Sequence, residues 1–313
     1  MYDVIGDVHG EGAKLRGLLE RLGYVERAGH WRAPQGRMAI FVGDLIDRGP
    51  EQIEVLRTVR DMVDAGAGLA VLGNHVFNAI GFAQRDERGD FLRLRSDKNT
   101  NQHAAFLKEV SLDSAAHKEW TDWFRKLPMA LDLGGIRVVH AWWDEAAVAA
   151  VASARGGAEG GLSEEVVLRM YREPLVMAAR KLLTCGVKWE LPAGHWIIDK
   201  EGHKHPDARL AVWRHGAERL RDIALVPSGS EDAVPDIGIP EEHRLGPVSG
   251  APILFGHHWF SVPLRLESPK VACLDWSAAK GGPLVAYRWD GEAELDAGKL
   301  VPVGGGAPDG ARA

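Results

Sequence analysis

Three observations predict an α/β protein with parallel strands. Apolar runs at Tyr2–Ile5, Met38–Val42 and Leu69–Leu72 are separated by two runs of helical period, the order and spacing of parallel crossover units. Each run stops at a glycine-bearing turn that carries Asp, His or Asn. Hydrophobic residues make up 45% of the 313, enough for a large core in one elaborated domain or two.

Tyr2–Ile5 reads as the first strand. Leu15, Leu18, Leu19 and Leu22 then recur at helical spacing, and Gly23 ends that helix. After the second strand, Pro50 suits the first turn of a helix whose apolar face is Ile53, Leu56, Val59, Met62 and Val63; Gly66 and Gly68 stop it. Residues 84–102 are highly charged and poorly periodic, the pattern of a surface excursion. Ala115–Leu127 is a helix with Trp120, Trp123, Phe124 and Leu127 on one side, stopped by Pro128. Met129–Leu133 and Ile136–Val139 around Gly134-Gly135 read as a hairpin. Residues 145–250 begin Ala-rich and helical and become irregular; they are expected to form a lid or insertion within a single domain spanning 1–291. Strand character returns at Pro252–Phe255, Lys270–Leu274 and Leu284–Arg288, and the Gly/Ala/Pro-rich tail 292–313 is expected to be partly disordered.

Charge and processing signals narrow the function. Lys plus Arg number 38 and Asp plus Glu 44, a formal charge of −6, which argues against a general nucleic-acid or anionic-membrane surface but leaves room for a local cationic pocket. Cys185 and Cys273 allow no disulfide framework and no CxxC metal motif. No run approaches the roughly 18 apolar residues of a membrane span, and Met1-Tyr2-Asp3-Val4-Ile5 has no leader-like n-region, so a soluble, cytoplasmic protein is expected.

The chemistry lies just past the strands. In open α/β sheets, sites form outside the carboxyl ends of strands. Gly6-Asp7-Val8-His9-Gly10, Gly43-Asp44-Leu45-Ile46-Asp47-Arg48-Gly49, Gly73-Asn74-His75, His140 and Gly256-His257-His258 each follow an apolar run. Asp7, His9, Asp44, Asn74, His140 and His257 supply two carboxylates, three imidazoles and an amide oxygen. That mixed N/O set without thiolate suits Mn, Fe, Zn or Ni better than Ca or Mg. Six ligands exceed the need of one catalytic ion and suit two, with Asp44, midway in the order, as the bridge. Two such ions clamp a phosphoryl group and acidify a shared water for in-line attack. Arg48 is placed to hold phosphate oxygens with its planar fork. His75, next to Asn74, is the candidate acid for the leaving group, with Asp47 to orient it.

These motifs resemble those of the calcineurin-like metallophosphoesterases, in the phosphoprotein phosphatase branch: GDxHG, GDxxDRG, GNHE, a lone His and a terminal GH, in that order over residues 6–258. The resemblance implies a two-sheet β-sandwich flanked by helices. It also implies one metal on Asp7 and His9, a second on Asn74, His140 and His257, and Asp44 bridging. Gly73–Ala79, Arg137–Trp142 and Val271–Trp289 carry a closer likeness to small bacterial members known as serine/threonine-type phosphatases or bis(5′-nucleosyl)-tetraphosphatases. Two departures stand out. Val76 replaces the Glu of GNHE, which removes a carboxylate near Arg48. Trp142-Trp143 follow His140, bulk that narrows the pocket or lets Trp142 stack on a base. The second phosphate-binding arginine of the branch has no fixed counterpart; Arg169, Arg172, Arg209 and Arg214 are the candidates.

Other features of the sequence have plainer explanations. A dinucleotide loop at Gly6–Gly12 lacks G-x-G-x-x-G. His203-Lys204-His205 reads as a solvated polar loop, His258 as a support for the neighbouring ligand His257, and the Trp-rich segments chiefly as packing. The expected function is a dinuclear-metal-dependent phosphoesterase, manganese first among the metals, that hydrolyses phosphate monoesters by attack of a metal-bridged hydroxide. His75, Asp47 and Arg48 act in catalysis, with Arg48, His75 and Trp142 on the substrate. The alternatives are a bis(5′-nucleosyl)-tetraphosphatase acting on dinucleoside polyphosphates and, on the strength of Val76 alone, a metal-binding pseudophosphatase. A nuclease is more distant, given the acidic charge.

Overall fold

A computed structural model of the chain describes residues 1–157, 160–198, 204–226 and 230–305. Those residues fall into two compact units, one of Met1–Cys185 with Ala251 onward and one of Gly186–Gly250.

In the first unit, Tyr2–Ile5 (β1) leads through Gly12–Arg21 (α1) and a small hairpin of Val25–Arg27 (β2) and His30–Arg32 (β3) to Met38–Phe41 (β4). Gln52–Asp64 (α2) then crosses to Gly68–Ala70 (β5). The helices form because their apolar residues share a face. Leu15, Leu18 and Leu19 of α1 are buried, as are Val55, Leu56, Val59 and Met62 of α2. Ile53 and Val63 are only half-buried, at the edge of the predicted face. Pro50 lies just outside α2, and a carboxylate from elsewhere in the chain satisfies the helix start. Glu109 accepts from the backbone N–H of Gln52 at 2.8 Å and of Ile53 at 3.0 Å.

Asn74–Ala83 (α3), Asp97–Gln102 (α4), Ala104–Glu109 (α5) and Ala115–Phe124 (α6) follow. The charged excursion therefore ends in ordered helix, with Ser96 capping α4 and Ser114 capping α6. Ala130–Asp132 (β6) and Arg137–Val139 (β7) form the predicted hairpin. Glu145–Arg155 (α7), Glu164–Arg172 (α8) and Pro174–Cys185 (α9) belong to this first unit, so the expected insertion 145–250 divides at Cys185.

The second unit contains Val187–Glu190 (β8), Ile197–Ile198 (β9), Lys204–His205 (β10), Asp207–Leu210 (β11), Leu220–Ile223 (α10) and Ala224–Leu225 (β12). Strand β11 pairs antiparallel with β8 and β12, and β9 pairs with β10. His203 of the predicted polar loop lies outside the described residues, whereas Lys204 and His205 form β10.

The chain returns to the first unit with Ile253–Phe255 (β13), Val271–Cys273 (β14), Leu284–Trp289 (β15) and Leu300–Val303 (β16). Strand β16 lies inside the Gly/Ala/Pro-rich stretch 292–313. Its four apolar residues pair antiparallel with β15, and Pro302 is tolerated because β16 is an edge strand. Residues 306–313 lie outside the described residues.

Two sheets result, ordered β16-β15-β1-β4-β5 and β14-β13-β7-β6. The crossovers make β1, β4 and β5 parallel, and β13 runs parallel to both β14 and β7. Val4, Ile40 and Tyr287 from the first sheet meet Val138, Leu254 and Ala272 from the second in one buried cluster, joined by Val42, Ile136 and Leu274 at the strand ends. Removing such a side chain from water contributes about 1.5–3 kcal/mol, so the two-sheet core fixes where the strands end. This is the sandwich implied by the motifs.

Candidate metal centre and active site

Each candidate ligand stands one to four residues past a strand: Asp7 after β1, Asp44 after β4, Asn74 after β5, His140 after β7 and His257 after β13. The two-sheet packing brings all five strand ends to one place. Asp44 lies at its middle. Its Oδ2 is 3.6 Å from His9 Nε2 and 3.4 Å from His140 Nε2. Donor atoms converge in two groups that share it, His9–Asp44–His75 and Asp44–His140–His257. Asn74 Oδ1 is 3.1 Å from His140 Nε2, and Asp7 accepts from the His257 backbone N–H at 2.8 Å.

Hydrogen bonds turn the imidazoles inward. The Nδ1 of His9 donates to the Ile46 carbonyl at 2.8 Å, and that of His140 to the Val42 carbonyl at 2.9 Å. In both, Nε2 is left for the site. Asp7 Oδ1 and His9 Nε2 are buried with no hydrogen-bond partner. Unpaired buried polar atoms cost free energy unless something satisfies them.

The electrostatics point the same way. Burial, with Asp275 and Asp44 nearby, pushes the Asp7 carboxyl well above its ordinary range. Burial acts on Asp44 too, but His140, His75 and His9 outweigh it and hold that carboxyl well below the usual range. His9 is pushed down to about 3, first by burial and then by His75 and Arg48, so it is a neutral imidazole with a lone pair to give. Burial opposes charge on His140 as well, yet Asp44 and Asp7 raise it to about 10. The carboxylates thus place a positive charge at the centre of the cluster. A divalent cation would take that charge over and leave His140 neutral, the form in which histidine ligates. The residues fit a metal pair.

Beside this centre, His75 donates through Nδ1 to Asp47 Oδ2 at 2.6 Å, and its ring stands edge-on to His9 at 4.9 Å. Asp47 has a second partner that the sequence did not reveal. His103 Nδ1 reaches Asp47 Oδ1 at 2.7 Å, and both residues are buried. Burial acts to raise the Asp47 carboxyl, but the bonds from His103 and His75 prevail and lower it. Arg48 packs its guanidinium 4.3 Å from the Trp259 ring centroid. Val76 is fully buried in α3 and offers no polar contact in place of the missing Glu.

The backbone is strained to build this. His9, Asp44, Asp47, Arg48, His257, Trp259 and Ser277 all have φ between 36° and 75°. Such conformations cost non-glycine residues on the order of 1–3 kcal/mol each and cluster at functional sites. Glycines permit the closest approaches. A Cβ on Gly73 would lie 2.2 Å from Asp44 Oδ1, and one on Gly256 2.0 Å from Asp7 Oδ1.

Not every expected contact is present. Trp142 is buried, edge to face with Phe255, so it has no open face for a base. The indole exposed beside the candidate centre is that of Trp259, 40% accessible and packed against Arg48. His258 is buried, with Nε2 3.1 Å from the Ala141 carbonyl. Arg169 pairs with Glu173 and Arg172 with Asp86, both away from the centre. His103 lay hidden because nothing in its polar neighbourhood has a period. Asp275 had a usable signal: it follows β14 as Asp7 follows β1.

Fold and site together define a two-sheet α/β protein with a candidate dinuclear metal centre at its strand ends. The sequence model of calcineurin-like phosphoesterases matches residues 2–229, and the chain belongs to that family. It is 47% identical over 74 residues to bis(5′-nucleosyl)-tetraphosphatase PrpE (asymmetrical) of Halalkalibacterium halodurans, covering 24% of this chain and 30% of that protein. It is 35% identical over 126 residues to PrpE of Bacillus subtilis, covering 40% and 48%. In both, the chain spans less than half of the relative's length. With the symmetrical bis(5′-nucleosyl)-tetraphosphatase of Methylococcus capsulatus it is 29% identical over 301 residues, covering 93% and 92%.

Proposed function

We propose that this chain is a metal-dependent phosphoesterase whose ions are held by Asp7, His9, Asp44, Asn74, His140 and His257. One observation carries the reading: Asp44 is shared by two converging donor groups, beside buried atoms of Asp7 and His9 that lack partners. When bound, two divalent ions would neutralise phosphate charge and acidify a water nucleophile. Manganese is our first choice, for a nitrogen and oxygen donor set without thiolate.

The chain's own groups do the rest. Arg48, half-buried beside His9, binds the non-bridging oxygens of the phosphate with its fork. His75 keeps its Nδ1–H on Asp47 and turns its Nε2 toward the leaving oxygen as the general acid. Asp47 is fixed in turn by His103, so the acid is aimed by a chain of two hydrogen bonds, the second of them buried. A phosphate monoester with a poor leaving group needs that proton most.

A second reading has its own support. The full-length relative is named for dinucleoside tetraphosphates, and the exposed aromatic next to the site, Trp259, lies against cations. On that reading the bond cleaved is a phosphoanhydride, whose leaving group depends less on His75. Turnover of a phosphoserine peptide, an aryl phosphate and diadenosine tetraphosphate by Mn²⁺-loaded protein separates the two. Preference for the monoesters supports the first reading, and preference for the dinucleotide the second.

A further inference from the structure

Of the seven strained residues at the site, five supply ligands or catalytic groups. Trp259 and Ser277 have no part in that chemistry. Both are tied to one buried carboxylate: Asp275 Oδ2 accepts from the Trp259 N–H at 2.9 Å and Oδ1 from the Ser277 N–H at 3.0 Å. The loop after β13 and the turn after β14 are therefore fixed to each other. The turn is braced again from within, where Lys280 and Gly282 N–H groups both donate to the Ser277 carbonyl. It is also braced from α1, where Lys14 Nζ donates to the carbonyls of Ala278 at 2.5 Å and Gly282 at 3.3 Å. Strain held this firmly, with no role in the reaction, points to something displayed.

What is displayed is the Trp259 indole with two cations against it. The Arg48 guanidinium carbon is 4.3 Å from the ring centroid and the Lys280 ammonium 4.0 Å. A small cavity beside His9 is lined by these residues and by Asp275 and Ser277. Cation–π contact fixes both cationic groups against the ring. The framework thus presents a second positive charge at a fixed place beside the arginine that meets the reacting phosphate.

We propose that Lys280 and Trp259 form a subsite for the phosphate adjoining the one that is hydrolysed, so that the site is built for a polyphosphate chain. The inference rests on the phosphoesterase reading and narrows its substrate class. A monoester has no second phosphate and would leave Lys280 unused. In a polyphosphate the neighbouring phosphate carries charge for an ammonium to bind.

The test uses the Mn²⁺-loaded full chain and compares Lys280→Gln with the wild type on diadenosine tetraphosphate and an aryl phosphate. Losing a charged contact to phosphate should raise KM for the tetraphosphate about tenfold or more, leave the aryl phosphate unchanged, and be largely rescued in Lys280→Arg. Equal changes on both substrates, or no change on either, overturn the inference. Should the wild type turn over neither substrate, the phosphoesterase reading fails by itself. Calorimetry with inorganic tripolyphosphate and orthophosphate then decides the subsite. Lys280→Gln must weaken the tripolyphosphate alone; weakening both or neither rejects it.

Discussion

Replacing His103 by alanine should lower both stability and turnover, by amounts the structure sets. The side chain is buried, its ring lies 4.9 Å from that of Phe106 and 5.4 Å from that of Phe82, and it bonds a buried carboxylate at 2.7 Å. A hydrogen bond to a charged group contributes about 1.5–3 kcal/mol. The space left among the aromatic rings adds about 1–2 kcal/mol. A loss of about 2.5–5 kcal/mol fits within the ~5–15 kcal/mol of a typical domain, so the variant should fold. Urea unfolding at pH 7 measures it, and a cycle with Asp47→Asn should show a coupling of about 1–3 kcal/mol. Acid adds a sign test. Asp47 has a depressed carboxyl in the folded state, so its contribution is complete above the ordinary aspartate value of about 3.9 and is lost as pH falls through the folded value. Without His103 that value moves up, and the variant should lose stability at a higher pH than the wild type. With Asp47 freed on one side, kcat for a poor leaving group should fall about tenfold while KM holds, a modest share of the 10²–10⁴ that general acid catalysis supplies. Stability within about 0.5 kcal/mol of the wild type, or strict additivity with Asp47→Asn, would refute the reasoning.

Further consequences concern the ligands and the core. Asp44→Asn should lose metal and activity together, which elemental analysis and a turnover assay read in parallel. Gly73→Ala would drive a methyl into Asp44 Oδ1, 2.2 Å away, and should also cut metal content, although no ligand is changed. His75→Ala should keep its metal and lose about 10²–10⁴-fold in rate on a poor leaving group, with a smaller loss on an aryl phosphate; full retention on the poor one rejects the acid role. Asp3 is buried and accepts from Arg37, Arg288 and Tyr24, so Asp3→Ala should cost about 3–5 kcal/mol on urea unfolding with kcat unchanged.

The candidate ligand set was legible because its members follow buried strands. Apolar runs fix where β1, β4, β5, β7 and β13 stop, and chain connectivity carries Asp7, Asp44, Asn74, His140 and His257 to the same edge. Asp275 obeys the same rule. His103 does not: it joins Asp47 across 56 residues of sequence, by way of a charged, aperiodic excursion that folds only against the rest of the unit. Trp142 and Trp259 show a second limit. Both follow candidate ligand histidines by two residues, and only packing decides that Trp142 turns inward onto Phe255 while Trp259 stays exposed. Strand β16 was obscured by its neighbours, since four apolar residues inside a Gly- and Pro-rich stretch pair only because β15 offers a free edge.

On the proposed function, Asp44 holds both of the ions on which phosphoester hydrolysis depends. The most direct measurement is the metal content of purified protein reconstituted with Mn²⁺, wild type against Asp44→Asn, with phosphate release from an aryl phosphate and from diadenosine tetraphosphate followed on the same samples. Two ions per wild-type chain, metal-dependent release from at least one substrate, and neither in Asp44→Asn is the predicted result. Release that persists in Asp44→Asn, or a fully loaded wild type inert on both substrates, would contradict it.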